Sequence, residues 1–304
     1  METPEKSKNL IESGLWGRIE KELSFLSEAD SFSGREDKVA EYLLSRAAEM
    51  GVESKRDGRG NVWFMSNMPE GEILLSAHMD KVGKGASIKV KEGEVVGRLD
   101  DALGVSIILS LFEQGLRPTA VFTVEEESEE EVFDGNGKRK MQERDLRGSS
   151  YNAGARFASE EVLVGGESSP KLVVIVDVSA MGQKGNGPLI YTSAKGFRFP
   201  SEPIKDIKHI FSEKGISAQY MEGALNDSIE FTFGSKKGVV AIELHVDNIH
   251  SGEAAASLQD VTSTQDAIRA IILEHQRISL AENVPLHAQP KKGPFNMLEI
   301  PYDS

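Results

Sequence analysis

Five short stretches of this chain hold the residue types that metal or acid–base chemistry needs. Leu74-Leu75-Ser76-Ala77-His78-Met79-Asp80 is an apolar run that ends in His-x-Asp. His78 offers a neutral ring nitrogen as a ligand, and Asp80 can take the proton of the other nitrogen and fix the tautomer. Leu99-Asp100-Asp101 opens an apolar helix, and Glu125-Glu126-Glu127 follows the run Ala120 to Val124. Asp177 ends the run Leu172 to Val176, where a buried strand has no need of a charge. His250 lies in the polar loop Asn248-Ile249-His250-Ser251-Gly252-Glu253. Together these are two histidines and several carboxylates. The chain has 0 Cys, so a thiolate site, a cysteine nucleophile and disulfides are all excluded. Such a donor set suits Zn, Co or Mn, held as a pair that shares one carboxylate.

Each stretch alone has a plainer explanation. A lone histidine at a strand end is more often structural. Asp100 or Asp101 serves as an N-cap for the helix that follows. The acidic run continues to Glu131, and Glu129 to Glu131 read as a solvated face. His245 sits inside an apolar run and reads as structural, while His209, His275 and His287 read as surface residues.

The elements that must position these residues alternate between strand and helix. Leu15 to Leu26 reads as an amphipathic helix. Ser33-Gly34-Arg35-Glu36 has the S-x-x-E pattern of a capping box. Val39, Leu43, Ala47 and Met50 then recur at helical spacing, and Gly51 ends the run. Asn61 to Met65 and Ile73 to Ala77 read as strands, and 81–97 as a small hairpin turning at Glu92-Gly93. The helix Val105 to Phe112 closes at Gly115, and Ala120 to Val124 is the next strand. Tyr151 to Leu163 reads as a helix, then Leu172 to Val176 and Leu189 to Thr192 as strands. The helix Ile204 to Glu213 follows, with strands at Ser217 to Met221 and Val239 to Val246, and a last helix at Gln259 to His275. Residues 1–14 read as a flexible tail, 128–148 as a surface loop insertion, and 281–304 as a C-terminal tail. That leaves one catalytic domain over 15–280, with no internal repeat. The pattern predicts an α/β fold, with a mostly parallel central sheet and helices on both faces. In such a sheet, residues at the carboxyl ends of strands gather in one crevice.

The 304 residues are 39% hydrophobic and 28% charged, the composition of a water-soluble globular chain. No apolar run is long enough to span a bilayer, and Met1 to Asn9 lacks an apolar signal core, so the expected location is cytoplasmic. A net charge of -14 argues against nucleic acid as a partner.

The motifs, taken in order, resemble the dizinc aminopeptidases of the tetrahedral-aminopeptidase type, the glutamyl-aminopeptidase or endoglucanase-like metallopeptidases. The residues that carry the resemblance are Ser33-Gly34-Arg35-Glu36, Gly60-Asn61, His78-Met79-Asp80, Leu99-Asp100-Asp101, Phe122-Thr123-Val124-Glu125-Glu126-Glu127, Asp177-Val178 and His250-Ser251-x-Glu253. They cover roughly residues 20–275. The resemblance implies a zinc-exopeptidase-like hydrolase fold and two divalent metal ions, Zn or Co. It makes Asp100 the bridging ligand, His78 and Asp177 the ligands of one metal, and Glu127 and His250 those of the other. It makes Glu126 the general base for a water shared by the metals, and Asp80 a further catalytic-site residue. A phasing one residue earlier, with Glu125 as base and Glu126 as ligand, is the alternative. Asn226-Asp227 and Glu253 match family positions loosely and are otherwise read as loop hydrogen bonding.

The implied activity is that of an aminopeptidase on short peptides, with a homo-oligomer compatible with the family. Alternatives on the same site are an amidohydrolase or deacylase, a dipeptidase or a carboxypeptidase. Another alternative is a non-catalytic binding protein on a peptidase fold. The chain departs from the family at 81–99, where the tetrahedral aminopeptidases insert a second domain and this chain has room only for a hairpin. The expectation is a bare catalytic domain.

Overall fold

The computed structural model describes residues 14–65, 73–127, 132–133, 139–140, 152–164, 170–194, 196–228, 230–231 and 238–282. Its centre is an eleven-stranded mixed sheet. Four strands form the parallel core, in the order β6 (Thr119–Thr123), β3 (Ile73–His78), β9 (Leu172–Ser179), β14 (Gly238–Asp247). Outside β6 lie β2 (Val62–Phe64) and β1 (Ser54–Arg56), both antiparallel. Beyond β14 the sheet forks. Ala241 to Glu243 pairs with β10 (Leu189–Tyr191), which carries β13 (Gln219–Met221). Val246 and Asp247 pair instead with β15 (Ala254–Ser257), followed by β5 (Glu94–Gly97) and β4 (Lys89–Lys91). Two small ribbons stand apart, β7 (Val132–Phe133) with β8 (Arg139–Lys140) and β11 (Ser193–Ala194) with β12 (Phe197–Arg198).

Six helices complete the described residues: α1 (Leu15–Glu28), α2 (Asp37–Glu49), α3 (Ala102–Glu113), α4 (Ala153–Val164), α5 (Ser201–Lys214) and α6 (Leu258–Glu282). They cover the two faces unequally, and the period-2 alternation of the strands shows how. Leu75 and Ala77, Phe122, Val174 and Val176, and Ile242 and Leu244 join one core with residues of α1, α2, α3, α5 and α6. Their alternates Leu74, Val121, Val173 and Ile175, and Val239 and Ala241 join a smaller core that includes Ala155 and Ala158 of α4. Helix α3 is buried along nearly its whole length, from Ala102 to Phe112, which explains why its sequence is apolar all round.

The observed elements follow the sequence closely, with some differences. Asn61 precedes β2 rather than belonging to it, because its side chain is engaged in a loop. Asp57 Oδ1 accepts the backbone N–H groups of Arg59, Gly60 and Asn61, and Asp57 Oδ2 accepts Asn61 Nδ2 at 2.8 Å. Helix α4 begins at Ala153 rather than Tyr151, and β13 begins at Gln219 rather than Ser217. Strand β15 was not foreseen, since Ala254-Ala255-Ala256-Ser257 has neither β-branched nor aromatic residues. Helix α6 runs on through Glu282, past the predicted end at His275. The capping box is not formed: α2 starts at Asp37 and no side chain caps it. Apart from β7 and β8, the predicted loop 128–148 lies outside the described residues, as do most of both tails.

Candidate metal centre

The face that carries α4 changes character along each core strand. On β3 it reads Leu74, Ser76, His78, and on β6 Val121, Thr123. On β9 it reads Val173, Ile175, Asp177, Ser179, and on β14 Val239, Ala241, Glu243, His245. At the carboxyl ends the apolar row therefore gives way to a buried polar one. The parallel registers set His78 beside Thr123, and Asp177 beside Glu243. Asp100 and Asp101 are added from the start of α3, and His250 from the turn after β14.

All five sequence-predicted ligands meet here. His78 Nε2 lies 3.2 Å from Asp100 Oδ1 and 3.7 Å from Asp177 Oδ1. His250 Nε2 lies 3.1 Å from Asp100 Oδ2 and 3.3 Å from Glu127 Oε1. The two oxygens of one carboxylate thus face two different imidazoles. Ligand atoms of Asp100, Glu127 and His250 all fall within 4.8 Å of one another, as do those of His78, Asp101 and Asp177, and those of His78, Glu126 and Glu127. Four of the five side chains are enclosed, whereas that of His250 is 47% exposed and forms the open edge. The Asp100–Asp101 peptide is cis.

Asp80 acts differently from the simplest expectation. The His78 Nδ1–H donates to the Asp80 backbone carbonyl at 2.9 Å, with the carboxylate behind it at 3.4 Å. The carboxylate itself is turned to the Glu125–Glu127 turn. It accepts the Glu126 N–H on Oδ1 at 3.0 Å and the Glu127 N–H on Oδ2 at 2.9 Å, along with the Ser33 hydroxyl at 2.5 Å. Asn61 Oδ1 accepts the Val124 N–H at 3.1 Å, and Glu36 Oε1 accepts that of Glu125 at 3.1 Å. The turn places the three glutamates unequally. Glu125, at φ 57, is ion-paired with Arg59, while Glu126 and Glu127 face the histidines.

The electrostatics identify a site that favours cations. Burial, then neighbouring carboxylates, hold Asp101 and Glu126 well above the usual carboxylate range, and push Glu127 up to about 7. Burial would raise Asp100 too, yet the imidazoles of His250 and His78 hold it low. His250 is pushed up to about 10 by Asp100 and Glu127, and His78 is raised by its carboxylates against its burial. Asp101 Oδ2 is buried with no hydrogen-bond donor among the described residues, and Glu127 Oε1 is buried with only His250 Nε2 near it, at 3.3 Å. Ionising these crowded, buried carboxyl groups is costly unless a cation balances them. An all-N/O donor set of this kind fits a divalent metal such as Zn, Co or Mn.

Several residues had a plainer sequence reading than the structure gives them. Asp101 does cap α3, accepting the Gly104 N–H at 2.8 Å on Oδ1, and its carboxylate also stands in the cluster with His78 and Asp177. Asp227 is buried and accepts Thr123 Oγ1 at 2.6 Å, and burial pushes it up to about 7. Glu243, inside a run read as a plain strand, accepts Asn226 Nδ2 at 2.7 Å beside Asp177. Its signal was the phase shared with Asp177 in the parallel register. His245 is structural, with Nδ1 at 2.9 Å from the Met181 carbonyl and Nε2 at 2.9 Å from Asp247. His209 is exposed, Glu253 is an exposed turn residue, and His275 is half-buried on α6; His287 lies outside the described residues.

No model of a known protein family matches the chain. Solved structures share its fold. An aminopeptidase from the archaeon Desulfurococcus kamchatkensis gives a TM-score of 0.68 at 16% identity, over 89% of this chain and 99% of that one. The TET aminopeptidase of a marine-sediment Thaumarchaeota archaeon gives 0.66 at 15% identity, over 90% and 99%. The TET1 peptidase of Pyrococcus horikoshii, which can assemble into a tetrahedron or a large octahedral shell, gives 0.65 at 17% identity, over 84% and 99%. The fold is thus the α/β one that these peptidases have. Among curated proteins, a Pyrococcus furiosus protein described as a LysW-lysine/LysW-ornithine hydrolase is 34% identical over 76 residues, which is 25% of this chain and 23% of that protein. No described helix is long and apolar enough to cross a membrane.

Proposed function

We propose that this protein is a two-metal exopeptidase of the aminopeptidase kind, acting on short peptides. The observation that supports it best is the Asp100 carboxylate, with one oxygen toward His78 and the other toward His250. In this reading Asp100 is shared, His78 and Asp177 complete one cation position, and Glu127 and His250 complete the other. Zn or Co is the proposed metal. Two cations held there would lower the pKa of a water and polarise a scissile carbonyl. Glu126 takes the proton of the attacking water and passes it to the leaving amine. The ion pair of Glu125 with Arg59 favours this phasing over one that begins at Glu125. Asp80 orients His78 and holds the turn that presents Glu126.

The interval between His78 and Asp100 holds only the β4–β5 hairpin among its strands and helices. We read the chain as a catalytic domain without the second domain of the tetrahedral type, working in the cytoplasm and open to homo-oligomer formation. Purified protein supplied with Co or Zn should hydrolyse aminoacyl-nitroanilides or dipeptides; no turnover with any divalent metal across a broad panel refutes the proposal. A second reading keeps the site and changes the amide. The local likeness to the hydrolase of lysine- or ornithine-bearing LysW favours it. Rates on free and on acylated amino termini separate the two.

A further inference from the structure

Ser33-Gly34-Arg35-Glu36 has the pattern of a helix cap, yet it caps no helix. It belongs to a strap between α1 and α2 that crosses the exit of β3. Ser31 Oγ donates to the Met79 carbonyl at 2.8 Å, and the Lys81 N–H donates to the Ser31 carbonyl at 2.7 Å, so the strap grips both sides of Asp80. From it Ser33 and Glu36, both buried, reach the turn that follows β6. Three successive backbone amides of that turn end on two carboxylates: Glu125 N on Glu36 Oε1, Glu126 N on Asp80 Oδ1, and Glu127 N on Asp80 Oδ2. Glu36 Oε1 also accepts Gly34 N–H at 2.8 Å, which fixes the carboxylate from its own side. The Ser33 hydroxyl fixes Asp80 in the same way.

We propose that Ser33 and Glu36 are positioning residues that set the aim of Glu126 and Glu127 through the backbone of their turn. Neither touches the cation positions. Glu125 holds a left-handed φ of 57, a conformation that is strained for a non-glycine residue and persists only where its surroundings impose it. Glu36 imposes it by holding the amide of Glu125. With that amide fixed on one carboxylate and the next two on another, the side chains of 126 and 127 have one direction left, toward His78 and His250. A ring of buried hydrogen bonds around a ligand typically changes metal affinity or activity by about 10–100-fold when one member is removed.

The inference rests on the two-metal reading, and the test separates them. Ser33→Ala and Glu36→Ala are compared with Ser33→Thr, which keeps the hydroxyl, and Glu36→Gln, which keeps an acceptor oxygen. In metal-free protein, hydrogen exchange at the amides of 125–127 should accelerate at least about tenfold in the alanine variants while the rest of the sheet is unchanged. Both conservative variants should restore protection. With Co added, the alanine variants should bind about 10–100-fold more weakly, with an altered cobalt absorption spectrum. Unchanged exchange at 125–127, or acceleration spread evenly over the whole chain, overturns the inference whether or not the protein binds metal. Wild type that binds no Co refutes the two-metal reading and leaves the exchange result to decide this one. Should an alanine variant not fold, Glu36→Asp, whose shorter arm withdraws the acceptor from the Glu125 amide, and Ser33→Cys, a weak donor, take its place: faster exchange confined to 125–127 supports the inference, and unchanged exchange overturns it.

Discussion

Replacement of Glu126 by glutamine tests the proposed chemistry most directly, because the structure separates what holds this residue from what it does. Its place is set by its backbone amide, on Asp80 Oδ1 at 3.0 Å, which the substitution leaves intact. Its side chain is buried, and burial disfavours its charged form, so a neutral amide of the same shape relieves a penalty rather than adding one. Fold and metal content should therefore persist, with a melting temperature no lower than wild type in metal-free protein. Turnover should not persist. A positioned general base contributes about 10²- to 10⁴-fold, or about 3–5 kcal/mol at 1.36 kcal/mol per factor of ten. The expected result is a kcat lowered by that factor, little change in KM, and two metals bound per chain by elemental analysis. Glu127→Gln is the control: it should lose affinity at the His250 position. If Glu126→Gln drops to one metal while Glu127→Gln keeps two and stays active, the base and ligand have been assigned one residue too late. If Glu126→Gln retains wild-type kcat, the proposed role is wrong altogether.

Other consequences follow from the same structure. Added Zn or Co should raise the melting temperature and a chelator should reverse it, by about 2.7 kcal/mol at a hundredfold excess over Kd; a flat response would argue against a metal centre. Lys81 is buried, and burial, then the charge of Arg98, lowers it from 10.5 to about 7. Between those values the unfolded chain binds the proton that the folded chain releases, so stability rises with pH there and the full penalty is felt below about pH 7. Lys81→Met should thus stabilise by up to about 5 kcal/mol near pH 6, fading toward pH 10, less about 1 kcal/mol for the lost hydrogen bond to the Leu26 carbonyl. Urea unfolding at both pH values checks this, and a gain independent of pH would count against it. Arg46→Ala strands Glu22, which is fully buried and also accepts Tyr42 OH at 2.7 Å; a loss of about 3–5 kcal/mol is expected, and the double change Glu22→Leu with Arg46→Met should recover most of it. Gly154→Ala puts a Cβ 2.4 Å from the Val124 carbonyl and 2.5 Å from Asn61 Oδ1, just where the turn of residues 125–127 leaves β6. It should cost about 1–3 kcal/mol and reduce activity beyond what the stability loss explains.

How much of this was legible in the sequence depended on the range of the interaction involved. The parallel core was legible because β3, β6 and β9 are short apolar runs, and each breaks into polar residues where it leaves the core. That break is where the candidate site lies, so the fold and the place of the site were read from one pattern. His78, Asp100, the Glu125–Glu127 cluster, Asp177 and His250 could be gathered at one sheet edge from strand ends, a helix start and a loop, although Asp177 and His250 are far apart in the chain; the choice of Glu127 within its cluster came from the family resemblance. The second row of acids was harder. Asp227 and Glu243 look like loop and strand residues until the register of β14 on β9 sets Glu243 beside Asp177, and no local spacing carries that register.

The reading of residues 33–36 as a helix cap shows a different limit. A serine followed three residues later by a glutamate satisfies a local rule, and both residues are indeed committed to backbone amides, directly or through a carboxylate. The amides are those of Glu125, Glu126 and Glu127, about ninety residues away, rather than those of α2. A local pattern reports what a side chain can do, namely accept or donate to exposed backbone groups; tertiary contact decides which groups those are. Here the nearer candidates lost because Asp80 needed a third donor in a buried place. Against its burial the Asp80 carboxyl is held low first by the imidazole of His78, then by the Ser33 hydroxyl and the amide of Glu127. The same reasoning explains why Asp80 orients His78 through its backbone carbonyl. Its carboxylate already accepts from the turn and from Ser33 and stands 3.4 Å behind, while the backbone carbonyl at 2.9 Å is free to accept the His78 proton.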